Sequence, residues 1–282
     1  MTSSLVLTDI YIYPIKSLGG VRVDQAIVEP QGLQYDRRWL LVDETNRFLT
    51  QRVFPAMALL QVHLQPEGLL ITHKKQLFEN LFIPFDTRQY LPEYQTVTIW
   101  DDVVPALEVG PAVSAWFSRI LQVNCRLVYM PPTVKRPVDP EYAINHEVVS
   151  FADAYPMLVI GQASLNDLNS RLAVPVPMNR FRPNLVFSGG EPFEEDTWRD
   201  FTINNQPFTG VKRCARCVLT TVNQDTAEKG TEPLRTLATY RTINKKVMFG
   251  QNVLPRAVGE PLRTGDPIAV LSHQNWNSNK LP

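Results

Sequence analysis

Lys212-Arg213-Cys214-Ala215-Arg216-Cys217-Val218-Leu219-Thr220-Thr221-Val222 sets two of the chain's three cysteines three residues apart, among three cationic side chains and ahead of a β-branched run. A CxxC pair of the thioredoxin kind sits where a strand turns into a helix within a βαβ unit. Here residues 218–222 read as a strand, which points away from that fold. The thiolate, not the thiol, ligates metals and attacks electrophiles, and nearby Lys or Arg favours it. Cys217 is therefore the candidate reactive sulfur. A redox pair, half of a zinc site and two unrelated core thiols are the other readings of the segment.

Strand-like texture extends outward from this stretch. Short β-branched and aromatic runs recur at residues 5–12, 38–42, 47–50, 59–64 and 69–72, and Asp43-Glu44-Thr45-Asn46 and Pro66-Glu67-Gly68 suit hairpin loops. Residues 111–121 differ, because Val113, Trp116, Phe117, Ile120 and Leu121 fall at helical spacing behind Pro111, a good first-turn residue. A strand is predicted over 125–130. Four prolines between Pro131 and Pro140 oppose regular structure and mark a domain border, giving units 1–130 and 131–282. Beyond it, strands are predicted over 156–160, 185–187, 218–222, 247–254 and 267–271. A helix is expected behind Ser164, carrying Leu165, Leu168 and Leu172, with Asp167 partly meeting the capping pattern. A shorter helix follows Pro233. The fold class is α+β and strand-dominated, and a closed or nearly closed barrel in the second unit would eliminate edges.

Basic and acidic residues balance at 28 each, so no global field attracts nucleic acid or an anionic membrane, and any anion site must be local. No apolar run approaches the ~20 residues of a membrane helix. Met1-Thr2-Ser3-Ser4-Leu5 lacks the basic-then-apolar order of a secretory signal, and three cysteines cannot form a disulfide framework. A soluble, cytoplasmic protein is expected.

Three more segments place charge where strands meet turns. Tyr13-Pro14-Ile15-Lys16-Ser17 offers a cation and a hydroxyl suited to phosphate, or a solvated lysine. In Tyr35-Asp36-Arg37-Arg38-Trp39-Leu40 adjacent arginines of a strand point to opposite faces, so one turns inward. An inward arginine needs acceptors; Asp36 could make a structural salt bridge, or a ligand could serve. Asn179-Arg180-Phe181-Arg182-Pro183-Asn184-Leu185 combines guanidinium forks and amides suited to phosphate or heterocycle edges, or to anchoring a loop on carbonyls. His63, His73, His146 and His273 share no metal-ligand spacing, and Cys125 falls in an alternating apolar run as a core thiol.

Taken together, Tyr13-Pro14-Ile15-Lys16-Ser17, Asp36-Arg37-Arg38-Trp39, Phe181-Arg182-Pro183-Asn184, the Cys214–Val222 stretch and Phe249-Gly250-Gln251-Asn252 resemble the MOSC-domain family in order and spacing across nearly the full chain. Within it the chain looks like the branch of the mitochondrial amidoxime-reducing component and its bacterial homologues. The resemblance implies a β-rich MOSC N-terminal domain over 1–130 and a β-barrel-like MOSC domain over 131–282. It implies a molybdenum cofactor, a molybdopterin whose phosphate and ring edges need cations and donors. Lys16, Ser17, Arg37 and Arg182 match cofactor-contact positions. Asn184 and Gln251 lie in matching motifs, as cofactor contacts or as structural amides. Cys217 matches the molybdenum-coordinating cysteine, with Lys212, Arg213 and Arg216 helping to keep the sulfur deprotonated and Cys214 in support. Asp153 matches an acidic position near the active site, for proton handling or positioning. At family level the resemblance also carries pyridoxal phosphate binding, with no residue assigned.

The implied reaction is two-electron reduction of small N-hydroxylated compounds: hydroxylamines, amidoximes and N-hydroxylated bases. Some bacterial relatives end in a plant-type ferredoxin domain, whose cluster needs four cysteines; no such set follows Gly265-Asp266-Pro267-Ile268-Ala269-Val270-Leu271. Electrons are thus expected from a separate ferredoxin, flavodoxin or cytochrome-type reductase, and direct use of NADH is not. The rival implication is a molybdenum cofactor-binding or sulfur-carrier protein without reductase activity, because MOSC domains also end molybdenum cofactor sulfurases. A dithiol or zinc protein using Cys214 and Cys217 is the third reading.

Overall fold

The computed structural model describes residues 4–77 and 79–274. Met1 to Ser3 of the N-terminal segment read above lie outside them, as do residues 275–282 of the second unit. The protein is α+β and strand-dominated. Its largest sheet runs, in spatial order, through Ile268–Val270, Asp200–Ile203, Gln206–Arg216, Lys246–Pro255, Met157–Gly161, Leu185–Ser188 and Val6–Ile12. Only Met157–Gly161 and Leu185–Ser188 pair in parallel, and the connection between them holds the helix Gln162–Ser170, as a parallel crossover requires. The two ends of the sheet meet. Val6 bridges Pro267, the Leu7 N–H donates to the Asp266 carbonyl at 2.9 Å, and the Ile268 N–H donates to the Leu5 carbonyl at 2.9 Å. The first strand of the chain, with Val21–Val23 paired along its far end, therefore completes a barrel whose other strands lie beyond residue 156, and the two sequence halves share one sheet.

Leu7, Ile10, Phe187, Trp198, Phe201, Phe208 and Val253 fill this barrel, each stabilising by roughly 1.5–3 kcal/mol through burial. Gly250 sits at φ +80° where an added Cβ would lie 2.9 Å from the Val159 carbonyl, so the long strand Lys246–Pro255 can cross Met157–Gly161 only with glycine there. A second sheet, ordered Trp39–Val42, Arg126–Tyr129, Asp102–Glu108 and Tyr94–Ile99, and a meander of Leu60–Gln65, Gly68–His73 and Leu81–Pro84 make up most of the N-terminal unit. The helix Pro111–Leu121, with the bounds its periodicity predicts, lays Trp116, Phe117 and Leu121 on a core that includes Trp39, Met57, Leu60 and Ile71.

Three local expectations are corrected. Residues 47–50 form only single bridges, Val42 to Phe48 and Arg47 to Thr98, rather than a strand. Val218–Thr221 is a 3-10 turn; the strand precedes Cys217, as Gln206–Arg216, instead of following it. The helix near Ser164 starts earlier, at Gln162, with Gly161 as its cap residue, so Ser164 is interior. A distant carboxylate does the capping: Glu195 accepts the Gly161 N–H at 3.2 Å and the Ser164 hydroxyl at 2.8 Å.

Glu195 is fully buried, and burial, reinforced by Asp196, pushes its carboxyl up to about 7. An unfolded glutamate releases its proton near 4.3. Between those values the unfolded chain binds fewer protons than the native one, so stability falls as pH rises. Glu195→Gln should remove this component, and the parent's loss between pH 5 and 7, on the order of 2 kcal/mol, should shrink in the variant. Urea unfolding at a series of pH values checks it; parallel curves for parent and variant would show that Glu195 stays ionised in the fold.

Candidate active site

Where the first strand leaves the barrel, Tyr13-Pro14 runs beside Arg37-Arg38-Trp39. The Arg37 N–H donates to the Tyr13 carbonyl at 3.0 Å, the Trp39 N–H to Pro14 at 3.0 Å and the Lys16 N–H to Trp39 at 2.9 Å. Asp36, with no exposed surface, accepts the Tyr13 N–H at 2.8 Å and Arg37 Nη1 at 2.6 and 2.8 Å. Arg37 is not in a strand, which starts at Trp39. A left-handed φ of 50° turns it away from Arg38 instead. The two arginines still part company: Arg38 donates to the Met130 carbonyl, while Arg37 reaches Asn184 Oδ1 at 3.1 Å and the Arg182 carbonyl at 3.1 Å.

The Tyr13 ring contacts two guanidinium groups, with Arg37 and Arg182 each centred 4.2 Å from it. Its face attracts cations, so one buried aromatic sets two charges side by side. Burial lowers the Arg182 guanidinium to about 10, with Arg37 adding to the effect and Tyr13 opposing it. Ser17, Arg37 and Arg182 all have φ between 50° and 70°. Non-glycine residues held there store strain of order 1–3 kcal/mol each, a feature that clusters at functional sites.

These side chains line one cleft, with about 860 Å³ of atom-free space that includes its opening to solvent. Lys16, Ser17, Arg37, Asp153, Arg182, Asn184, Cys214 and Cys217 all border it. Of the residues the sequence proposes for the site, Lys212, Arg213 and Gln251 do not border the cleft, and the Gln251 amide is buried without a partner among the described residues. Asn184 is tied to the fold: its amide donates to the Tyr11 carbonyl and its oxygen accepts from Arg37 and the Leu158 N–H. Lys16 donates to the Phe151 carbonyl at 2.8 Å and to Asp153 at 2.5 Å. Burial lowers its ammonium to about 8, against the pull of Asp153. For Asp153, desolvation acts upward, but Lys16, then Arg52 and Trp100, override it and hold the carboxyl well below the usual range. That geometry suits positioning better than proton donation.

Cys217 is exposed at the end of strand Gln206–Arg216; Cys214 is half-buried, and burial raises its thiol. The strand pairing is irregular at Cys214, both thiols are free, and Cys217 lies close enough to act on the Cys214 thiol. Among the described residues no three His, Cys, Asp or Glu side chains gather as a metal-binding set. The flanking cations do not surround the sulfur as expected. Lys212 lies over the Tyr142 ring, Arg213 pairs with Asp196 at 3.5 Å, and Arg216 donates to the Phe249 and Phe181 carbonyls. The cation that reaches the sulfur is Arg52, whose Nη1 donates to Sγ at 3.6 Å. No local pattern marks Arg52 in the sequence, nor the roles of Tyr13 and Trp100; the contacts join segments far apart in the chain.

The MOSC N-terminal beta barrel domain model matches residues 4–124, and the MOSC domain model matches residues 146–269. Mitochondrial amidoxime-reducing component 1 of Mus musculus is 32% identical over 283 residues, covering 94% of this chain and 82% of that protein. The chain belongs to the MOSC-domain family. Mitochondrial amidoxime reducing component 2 of Rattus norvegicus is similar to this MOSC protein at 33% identity, covering 93% of the chain and 82% of the relative. Molybdenum cofactor sulfurase of Solanum lycopersicum is 33% identical over 86% of the chain, which spans only 32% of the sulfurase. A solution structure from Bordetella bronchiseptica aligns over 38% of the chain with a TM-score of 0.30 and 20% identity. Among the described residues of the MOSC protein, no helix is long and apolar enough to cross a membrane.

Proposed function

We propose that this MOSC protein holds a molybdenum pyranopterin cofactor in the cleft and there reduces small N-hydroxylated compounds. The main support is the convergence of Lys16, Ser17, Arg37, Arg182 and Cys217 on one cleft, where Arg182 and Arg216 each keep a buried Nη2 without a hydrogen-bond partner among the described residues. Unmet buried donors are costly, and guanidinium forks suit phosphate. The exposed thiol suits a soft, sulfur-rich metal centre. The residues present therefore fit the group. Arg182, Arg216 and Ser17 would hold phosphate and ring edges, Arg37 would keep Arg182 and Asn184 in place, and Cys217 would ligate the metal.

When bound, the cofactor supplies the two-electron step R–NH–OH + 2 e⁻ + 2 H⁺ → R–NH₂ + H₂O. The chain's own part is to bind, orient and manage protons. Lys16, with its ammonium lowered to about 8 by burial, is the cleft cation nearest to releasing a proton at neutral pH, and Asp153 fixes its direction. Electrons would come from a separate donor protein. In the assay, reduced methyl viologen should be oxidised on adding benzamidoxime, while NADH alone should not; robust NADH oxidation by the pure protein would overturn the separate-donor element, and no viologen oxidation by molybdenum-loaded protein would overturn the reductase.

The sulfurase relative favours a second reading, in which the cleft binds the cofactor for delivery or sulfur transfer. The coverage argues for the first: 82% of the amidoxime-reducing relatives is spanned, against 32% of the sulfurase. A persulfide on Cys217, detected by mass spectrometry in protein that lacks reductase activity, would reverse that order.

A further inference from the structure

Arg52 comes from the first part of the chain and borders the cleft, where its charge acts on Asp153 although the two make no direct ion pair among the described residues. Its guanidinium is centred 4.4 Å from the Trp100 ring, and its one side-chain hydrogen bond among the described residues is the long contact to Cys217 Sγ at 3.6 Å. Sulfur is a weak acceptor, and a guanidinium carries five donors in a fixed fork. The remaining N–H groups have no acceptor among the described residues, although the other cleft arginines are anchored on carbonyls or on Asp36.

The support beneath Arg52 is built from several elements. Its carbonyl accepts Lys229 Nζ at 2.8 Å, and its N–H donates to Thr50 Oγ1 at 2.9 Å. Trp100 has a φ of 55°, uncommon for so bulky a residue, and its Nε1 donates to Asp153 Oδ1 at 3.3 Å while Phe48 packs against its ring at 5.1 Å. An indole 42% exposed is thus held in a strained conformation beneath a cation beside the proposed metal-binding thiol. Val53 and Val218, chain neighbours of Arg52 and Cys217, are exposed and add apolar surface beside them.

We propose that Arg52, seated on Trp100, is a substrate-contacting residue that receives the oxygen of the N-hydroxylated group and selects neutral or anionic groups over cationic ones. The inference rests on the reductase reading and deepens it. A charge-assisted donor next to Sγ orients an oxygen acceptor toward the reacting centre. The same charge repels a protonated N-hydroxyguanidine. The apolar body of the substrate lies along Trp100 and Val218.

The test uses molybdenum-loaded parent, Arg52→Gln, Arg52→Lys and Trp100→Phe proteins at pH 7, with metal content and thermal unfolding measured for each. Benzohydroxamic acid is the neutral probe and an N-hydroxyguanidine the cationic one. In Arg52→Gln, KM and the calorimetric Kd for benzohydroxamic acid should both rise about 10- to 50-fold, with kcat changed less than about threefold and metal content unchanged. Arg52→Lys should recover part of the loss, and Trp100→Phe should fall between parent and Gln. The cationic probe should bind the Gln variant as well as the parent or better. Unaltered KM and Kd in Arg52→Gln, equal weakening of both probes, or loss of molybdenum from a folded variant would overturn the proposal. Should Arg52→Gln fail to fold, Arg52→Lys decides, with about a 3- to 10-fold loss expected for the neutral probe and none overturning it. A parent that binds benzohydroxamic acid through Arg52 but turns over no N-hydroxylated compound sinks the reductase reading alone. Turnover indifferent to Arg52 sinks the Arg52 contact alone, and a parent that neither binds nor turns over the probe sinks both.

Discussion

Cys217→Ala is expected to lose molybdenum and activity while keeping its fold. The side chain is exposed, and its only hydrogen-bond contact among the described residues is the 3.6 Å one from Arg52, so its removal should change stability by less than about 0.5 kcal/mol. Metal content near one per chain in the parent should fall at least tenfold, and turnover with an N-hydroxylated substrate at least ~100-fold, because no other thiolate is placed to take over. Cys214 borders the same cleft, but its thiol is raised by burial and is a poor source of thiolate. Cys214→Ala should therefore lose much less metal than Cys217→Ala. Cys217→Ser separates charge from softness, since a hard, mostly protonated hydroxyl replaces a soft thiolate; it should resemble the alanine protein. Elemental analysis and steady-state rates on the same samples check all three. Full metal content in Cys217→Ala, or greater loss in Cys214→Ala, would refute the assignment of the ligand.

Local periodicity was sufficient for much of the fold because the information lay within single elements. Trp116, Phe117 and Leu121 mark one face of a helix whether or not their partners are known. The strand Gln206–Arg216 was harder to see, since Gly210 and the charged run Lys212 to Arg216 dilute its alternation, and it is stabilised by pairing with Lys246–Pro255, some forty residues away. Val218 to Val222 carry strand-like residues yet form a 3-10 turn, with the Thr220 and Thr221 hydroxyls donating to the Cys217 and Val218 carbonyls. Such side-chain bonds compete with a ladder. The site was legible as residue types in motifs, but not as geometry. Nothing local says that Tyr13 spaces two arginines, that Asn184 is held by backbone on two strands, or that Arg52 crosses from the other sequence half to reach Cys217. Neither does any single segment reveal that Val6–Ile12 closes the barrel, so that one sheet draws on both ends of the sequence.

That closure makes Arg37 the residue where fold and site depend most on each other, and Arg37→Ala should cost about 3–5 kcal/mol of stability. The substitution leaves Asp36, fully buried, with the Tyr13 N–H as its one remaining donor among the described residues, of the three hydrogen bonds it now accepts. A buried carboxylate deprived of its counter-charge is far more costly than the pair is stabilising, because the desolvation penalty stays while the attraction is lost. The damage should extend into the cleft, since Arg37 also donates to Asn184 and to the Arg182 carbonyl and shares the Tyr13 ring with Arg182. Urea unfolding should show a lower midpoint with an unchanged slope, and cofactor retention should fall with it. Arg37→Lys keeps the charge but not the fork, so it should lose roughly 1–2 kcal/mol. The decisive comparison is Asp36→Asn with Arg37→Met in one chain. If the unpaired charge is the cause, the double variant should be more stable than Arg37→Ala, though its cleft would still lack the positioning bonds to Asn184 and Arg182. A loss below about 1 kcal/mol in Arg37→Ala would mean that water reaches Asp36 when the arginine is gone, and that a dry charge pair is not what holds this corner between barrel and cleft.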